Sequence, residues 1–200
     1  MGHVTISNIK GNALIIGAAY DKIDKLNEII NKEDHEYTII NGNVLYPLAN
    51  ILSMKKRIED INKITSSRVI YVSGRRDFEA IKSLNDENIS KWVLSHPNIV
   101  FLRFKNGSKI IVMDGGVTPE MNTKDIQNSL EISFVSKIDS IPWHRYYNGR
   151  FGYIISNRPE SNNIKCYGYS AHIGTEYENN KIFTVEVNKF GIKKSTTYEW

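Results

Sequence analysis

A single cysteine, Cys166, leaves this chain of 200 residues without an internal disulfide or a cysteine-rich zinc site. A buried thiol with no chemistry is the expectation for it. No apolar run approaches the roughly 20 residues that span a bilayer, and positions 1–12 lack the basic start and apolar stretch of a secretory signal. The expectation from these absences is a cytoplasm, or a particle assembled in one, with no membrane role. Charge of one sign is scarce as well. The 26 Lys and Arg against 22 Asp and Glu leave a net +4, spread along the chain, which is weak support for nucleic-acid binding. No repeat, low-complexity tract or linker interrupts the sequence, so residues 1–200 read as one domain, large enough to bury a real core.

What is present alternates. Short apolar runs at Ala13–Ile16, Tyr37–Ile40 and Val69–Val72 read as strands. Each is followed by a helical pattern: Ile23, Leu26, Ile29 and Ile30; then Leu48, Ile51, Leu52, Ile58 and Ile61; then Phe78, Ile81, Leu84, Ile89, Trp92 and Val93. After Pro97 the texture becomes mainly β. Ile99–Phe104 and Lys109–Met113 flank a hairpin-type turn at Lys105–Ser108, and Tyr153–Ile155, Ile164–Tyr169, Ala171–Gly174 and Ile182–Val187 follow. The order βαβαβα and then β predicts an α/β domain, a two-sheet β sandwich flanked by helices. The polar tail from Lys189 to Trp200 reads as a docking element or a frayed end.

In parallel α/β units, sites form at the carboxyl ends of strands. The first three strands end in Gly17-Ala18-Ala19-Tyr20, Gly42-Asn43-Val44-Leu45-Tyr46 and Gly74-Arg75-Arg76-Asp77, where glycine lets the backbone turn sharply. With Asp114-Gly115-Gly116 and Ser156-Asn157-Arg158-Pro159 these segments resemble, in order, the five motifs of calcineurin-like (PPP-type) metallophosphoesterases: D-x-H-G, G-D-x-x-D-R-G, G-N-H-[DE], H-[AG]-G and G-H-T-P. The stretches Pro142–Tyr153 and Tyr169–Thr175 are similar to segments of tailed-bacteriophage Ser/Thr phosphatases. The resemblance spans roughly Ala13 to Val187 and implies the calcineurin-like metallophosphoesterase fold.

The same resemblance implies a pair of divalent metals, such as Mn or Fe/Zn, that clamp phosphate and generate a hydroxide. The ligand positions hold other residues. Ala18 stands for the first Asp and Tyr20 for the first His. Asn43 replaces the bridging Asp, Tyr46 the next Asp, and Pro47 the phosphate-binding Arg. Arg75 replaces the Asn ligand, Arg76 the general-acid His, and Asp114 the His of the fourth motif. Asn157 and Arg158 stand where the last His is expected. Asp77 alone is retained, in a position whose implied role is to orient the residue at 76. Asn and Tyr are poor ligands for hard cations, Ala is none, and two arginines repel a metal. No metal and no catalytic residue is therefore expected.

For Arg75, Arg76 and Arg158 two readings stand. They bind an anion in the old cleft, such as a phosphorylated ligand, or they pair with Asp77 and Asp114 as structural ion pairs. Tyr20 and Tyr46 either stack on a ligand or plug the cavity. Asp114 with His144 has the makings of an acid–base pair, against a packed or surface histidine. The cluster Trp143, Tyr146, Tyr147, Phe151 and Tyr153 with Arg145 and Arg150 has interface composition. His3, His35 and His96 read as surface. The expectation is a catalytically inactive pseudophosphatase of viral, phage-like origin. It would bind another protein, as a particle component or a modulator of a host factor. The alternatives are an active Ser/Thr-type phosphatase or phosphodiesterase, and a module that binds a phosphorylated ligand.

Overall fold

The computed structural model of the chain describes residues 3–17, 19–32, 34–114, 153–156, 169–172 and 181–199. The elements run β1 (His3–Ile9), β2 (Ala13–Ile16), α1 (Ile23–Lys32), β3 (Tyr37–Asn41), α2 (Ile51–Ile64), β4 (Val69–Val72), α3 (Arg75–Leu84), α4 (Glu87–Ser95), β5 (Ile99–Phe104), β6 (Lys109–Met113), β7 (Tyr153–Ser156), β8 (Tyr169–His172), β9 (Lys181–Asn188) and β10 (Gly191–Glu199). The strands form two sheets, β1-β5-β6-β7-β8 and β10-β9-β2-β3-β4.

The continuous apolar runs follow from burial on both faces. In β2, Ala13 and Ile15 face the first sheet and, with Ile39 and Val72 of their own sheet, pack into a core with Val100, Leu102 and Val112. Leu14 and Ile16 face the other way, onto a core built with Leu26, Met54, Ile61, Phe78 and Val93 from all four described helices. The second sheet is thus the middle layer, with the first sheet on one side and the helices on the other. β2, β3 and β4 run parallel, so their carboxyl ends gather at one end of the sandwich.

Two strands were not foreseen. β1 pairs in parallel with β5 at the first sheet's edge. The tail read as a docking element or frayed end is β10, paired antiparallel with β9. Alternating Ile192, Lys194, Thr196 and Tyr198 do carry a strand period, hidden by their polarity. The second helix begins at Ile51 with Asn50 as its N-cap, accepting from Ser53 N. Leu48 therefore lies outside it, and Leu52 is 80% exposed rather than packed. The His35 side chain is buried, 3% exposed, with its Nε2 3.9 Å from Glu186. His96 is half-buried against the rings of Trp92 and Tyr71, 4.6 and 5.3 Å away. The surface reading holds for His3, though its ring meets Phe101 edge-on. No helix among the described residues is long and apolar enough to cross a membrane.

Candidate functional site

The carboxyl ends of β3, β4 and β6 carry the site. Gly42 and Asn43 take the left-handed backbone region, at φ 78° and 70°. Such a turn suits Gly and is tolerated by Asn, and it aims the Asn43 amide into the space between the sheets. A side chain at Gly42 would meet the backbone of Gly74 at 2.8 Å, so the two strand tips touch through glycine. Asn41 Nδ2 donates to the Met113 carbonyl at 2.8 Å and ties β3 to the end of β6.

Asn43 and Asp114 then close on each other. Asn43 Nδ2 donates to Asp114 Oδ1 at 2.6 Å, and both residues are buried. The other Asp114 oxygen accepts from Arg75 N at 2.6 Å, and Asn43 Oδ1 accepts from Arg76 N at 2.9 Å. These two N–H groups belong to the first turn of α3, where no intrahelical partner exists. The site side chains cap the helix, and the carboxylate lies at its positive end.

Asp77 straps the loops together. It is the third residue of α3, and its carboxylate reaches back to Gly74 N at 2.8 Å, as in a capping box. It also accepts from Asn43 N at 3.0 Å, Leu45 N at 3.1 Å and the Tyr71 hydroxyl at 2.5 Å. The implied role for this residue, orienting the side chain at 76, is replaced by a role in holding backbone. Burial pushes the Asp77 carboxyl up to about 6, and the four donors pull the other way. Burial, with the Asp77 charge beside it, also lifts the Tyr71 hydroxyl well above its ordinary value.

The arginine side chains turn out of the site. Their guanidinium groups do not pair with Asp77 or Asp114, as one reading had it. Both reach Glu79 instead, one helical turn along: Arg75 Nε at 2.9 Å and Arg76 Nη1 at 2.7 Å. The i,i+3 and i,i+4 spacing on α3 makes Glu79 the nearer acid. Against the burial of Glu79, these bonds hold its carboxyl below the ordinary value, and the Glu79 bond raises Arg76. Arg75 and Arg76 remain 44% and 40% exposed, so the pairs add little stability.

Arg76 also covers the Tyr46 ring, its guanidinium carbon 4.6 Å from the centroid. Tyr46 meets Tyr20 edge-on at 5.6 Å. Tyr20 is buried in the left-handed region at φ 52°, an unfavourable backbone for a bulky residue. Asp21, next in the chain, lies 3.6 Å from Arg57 Nη2, while Arg57 Nη1 donates to the Pro47 carbonyl at 2.8 Å. The Asp21–Arg57 pair thereby fastens both tyrosine loops to α2. Arg57 was missed in the sequence because it sits mid-helix, away from any motif.

The structure therefore brings Tyr20, Asn43, Tyr46, Arg75, Arg76 and Asp114 to one end of the sandwich. Ala18, Asn157 and Arg158 lie outside the described residues, as do Cys166, His144, Arg145, Arg150 and the aromatics Trp143, Tyr146, Tyr147 and Phe151.

The sequence matches no protein-family model and none of the curated proteins. Solved structures do match in shape. A candidate diadenosine tetraphosphatase superimposes with a TM-score of 0.66 at 13% identity, over 100% of this chain and 98% of that one. A serine/threonine phosphatase from Saccharomyces cerevisiae, similar to human phosphatase PP5, superimposes with a TM-score of 0.59 at 10% identity, over 100% and 84% of the two chains. At such identities the likeness speaks to architecture alone. The chain has the calcineurin-like metallophosphoesterase fold.

Proposed function

We propose that this phosphoesterase-fold chain holds no metal pair and acts by binding another protein. The Asn43–Asp114 hydrogen bond of 2.6 Å carries the reading. Two cations need carboxylate and imidazole lone pairs aimed at shared points. Here Asn43 turns its N–H toward Asp114, and both Asp114 oxygens accept N–H donors. Ala18 offers no donor atom, and neither Asn157 nor Arg158 supplies a carboxylate or imidazole. Among the described residues no three of His, Cys, Asp or Glu group as metal ligands do. The residues present do not fit the metals.

Protein binding is supported by the rim. Leu48, Ile51 and Leu52 follow Tyr46 in sequence and are 43%, 39% and 80% exposed. With Tyr46 and the two arginines they give the apolar, aromatic and Arg composition of interface cores. The phage-like aspect of the reading rests on Pro142–Tyr153 and Tyr169–Thr175; apart from Tyr153 and Tyr169–His172, these stretches are outside the described residues.

Purified protein incubated with Mn²⁺ and a chromogenic phosphate ester should show no turnover above buffer. Turnover that disappears on Asp114→Ala would overturn the reading in favour of an active phosphatase. Affinity capture from native cells should retain a partner that is lost with Leu52→Asp; a partner retained equally by both proteins would count against the rim. A phosphate-ligand module is the second reading, favoured by the two half-exposed guanidinium groups. It predicts a thermal shift with inorganic phosphate or nucleotides.

A further inference from the structure

The end of the sandwich opposite the candidate site gathers three turns. β9 is antiparallel to β2, with Ala13 opposite Val187, so the β9–β10 turn lies at the amino end of β2. β5 and β6 are antiparallel, which puts their turn at the far end from Asp114. β1 runs parallel to β5 and exits beside that turn, where Lys105 N donates to the Ile9 carbonyl at 2.9 Å.

Hydrogen bonds fix these turns to one another. Asn106 Nδ2 and Ser108 Oγ both donate to the Lys189 carbonyl, at 2.8 and 2.7 Å. Phe190 N donates to Asn188 Oδ1 at 2.8 Å. Held this way, Phe190 is 78% exposed, and Ile192 beyond it is 38% exposed. A side chain added at Gly107 would meet nothing within 4 Å, so the turns project into open space.

Their charge is one-sided. Lys10, Lys105 and Lys189 are exposed and form no ion pair with a described residue. Lys189 Nζ lies 5.0 Å from the Phe190 ring centre. The neighbouring acids are engaged locally: Glu36 accepts from Lys10 N and Gly11 N, and Glu186 from Asn12 and Lys193. Asp34, exposed in the turn before β3, and Glu36, whose charge its neutral backbone donors leave in place, stand against the three lysines.

We propose that this end docks on an anionic lipid surface, with Phe190 entering the interface and Lys10, Lys105 and Lys189 on the headgroups. An exposed aromatic beside Lys189, on joined turns that also carry Lys10 and Lys105, has the two components of interfacial binding, apolar burial and charge attraction. The surface is a set of projecting turns. That shape meets a flat layer, whereas a nucleic-acid strand is tracked along a groove with stacked bases. The absence of a spanning helix does not bear on docking of this kind.

The test is vesicle co-sedimentation of the full chain, with neutral phosphatidylcholine vesicles compared with vesicles containing about 30% phosphatidylserine. Binding to the anionic vesicles alone, weakened by added salt, is expected. Each lysine removed from the surface should cost about fivefold, so Lys105→Gln with Lys189→Gln should lower binding about 25-fold. Phe190→Ser should weaken binding with an unchanged salt dependence. Both variants alter exposed side chains, and an unchanged melting temperature checks their folding. Equal binding to both vesicle types, or full binding by either variant, overturns the proposal. So does tighter binding to a mixed-sequence oligonucleotide than to the vesicles. None of these residues belongs to the candidate site, so the outcome is independent of the function proposed for it.

Discussion

Asp77 sets burial against hydrogen bonding, and the sign of its pH dependence tells which wins. Its carboxylate is fully buried yet accepts four donors. Donors alone would lower its affinity for a proton; burial raises it, and the net position is about 6 against an ordinary 3.8. The folded form then binds the proton more tightly than the unfolded chain. The contribution of this group to stability is fully present below pH 3.8 and is lost as pH rises through about 6. The interval between those values corresponds to about 3 kcal/mol. The perturbation is Asp77→Asn, which removes the titration and keeps the shape. Urea unfolding of both proteins at half-unit steps from pH 4 to 7 measures the difference. Wild type should lose about 2 kcal/mol of that relative to the variant between pH 4 and 7, the rest being lost below pH 4. If wild type instead gains on the variant as pH rises, the four donors outweigh burial and the reasoning fails.

Removing the Asp77 acceptor altogether is harsher. Asp77→Ala strands the N–H groups of Asn43, Leu45 and Gly74, at a cost of roughly 3–6 kcal/mol near pH 4, readable in urea, and this cost shrinks toward pH 7 by the amount that wild type loses against Asp77→Asn. Gly74→Ala would drive a Cβ to 2.5 Å from Asn43 Oδ1; the amide must move, and a lowered melting temperature, corresponding to about 1–3 kcal/mol, is expected. Tyr46→Ala removes the Arg76 and Tyr20 contacts, costing about 1–3 kcal/mol, whereas Glu79→Gln, whose partners are half-exposed, should cost under about 1 kcal/mol. Burial lowers His96 below its ordinary value. The stability it contributes is present above about pH 6.5 and is lost as pH falls, which a histidine NMR titration checks.

The parallel core was legible because its strands are buried on both faces, which compels unbroken apolar runs such as Ala13–Ile16. β1 and β10 are edge strands with one paired side and much exposed surface. Nothing compels an apolar pattern there, so the pattern could not announce them. The cluster of site residues was legible for a different reason: glycines at strand tips mark where loops converge. The pairing inside it was not, because sequence does not say whether an arginine at a helix start uses its side chain or its backbone. Arg75 and Arg76 use the backbone toward Asp114 and Asn43 and send their guanidinium groups to Glu79. His35 misled because a short polar stretch before β3 looks solvated, while in the fold it lies against Glu186.

The most direct test of the proposed site is the manganese content of the chain. Protein equilibrated with excess Mn²⁺, freed of unbound ion and subjected to elemental analysis should hold well under one equivalent per chain, and Mn²⁺ should leave its melting temperature unchanged. Two equivalents per chain with a raised melting temperature, both lost on Asp114→Ala, would contradict the account.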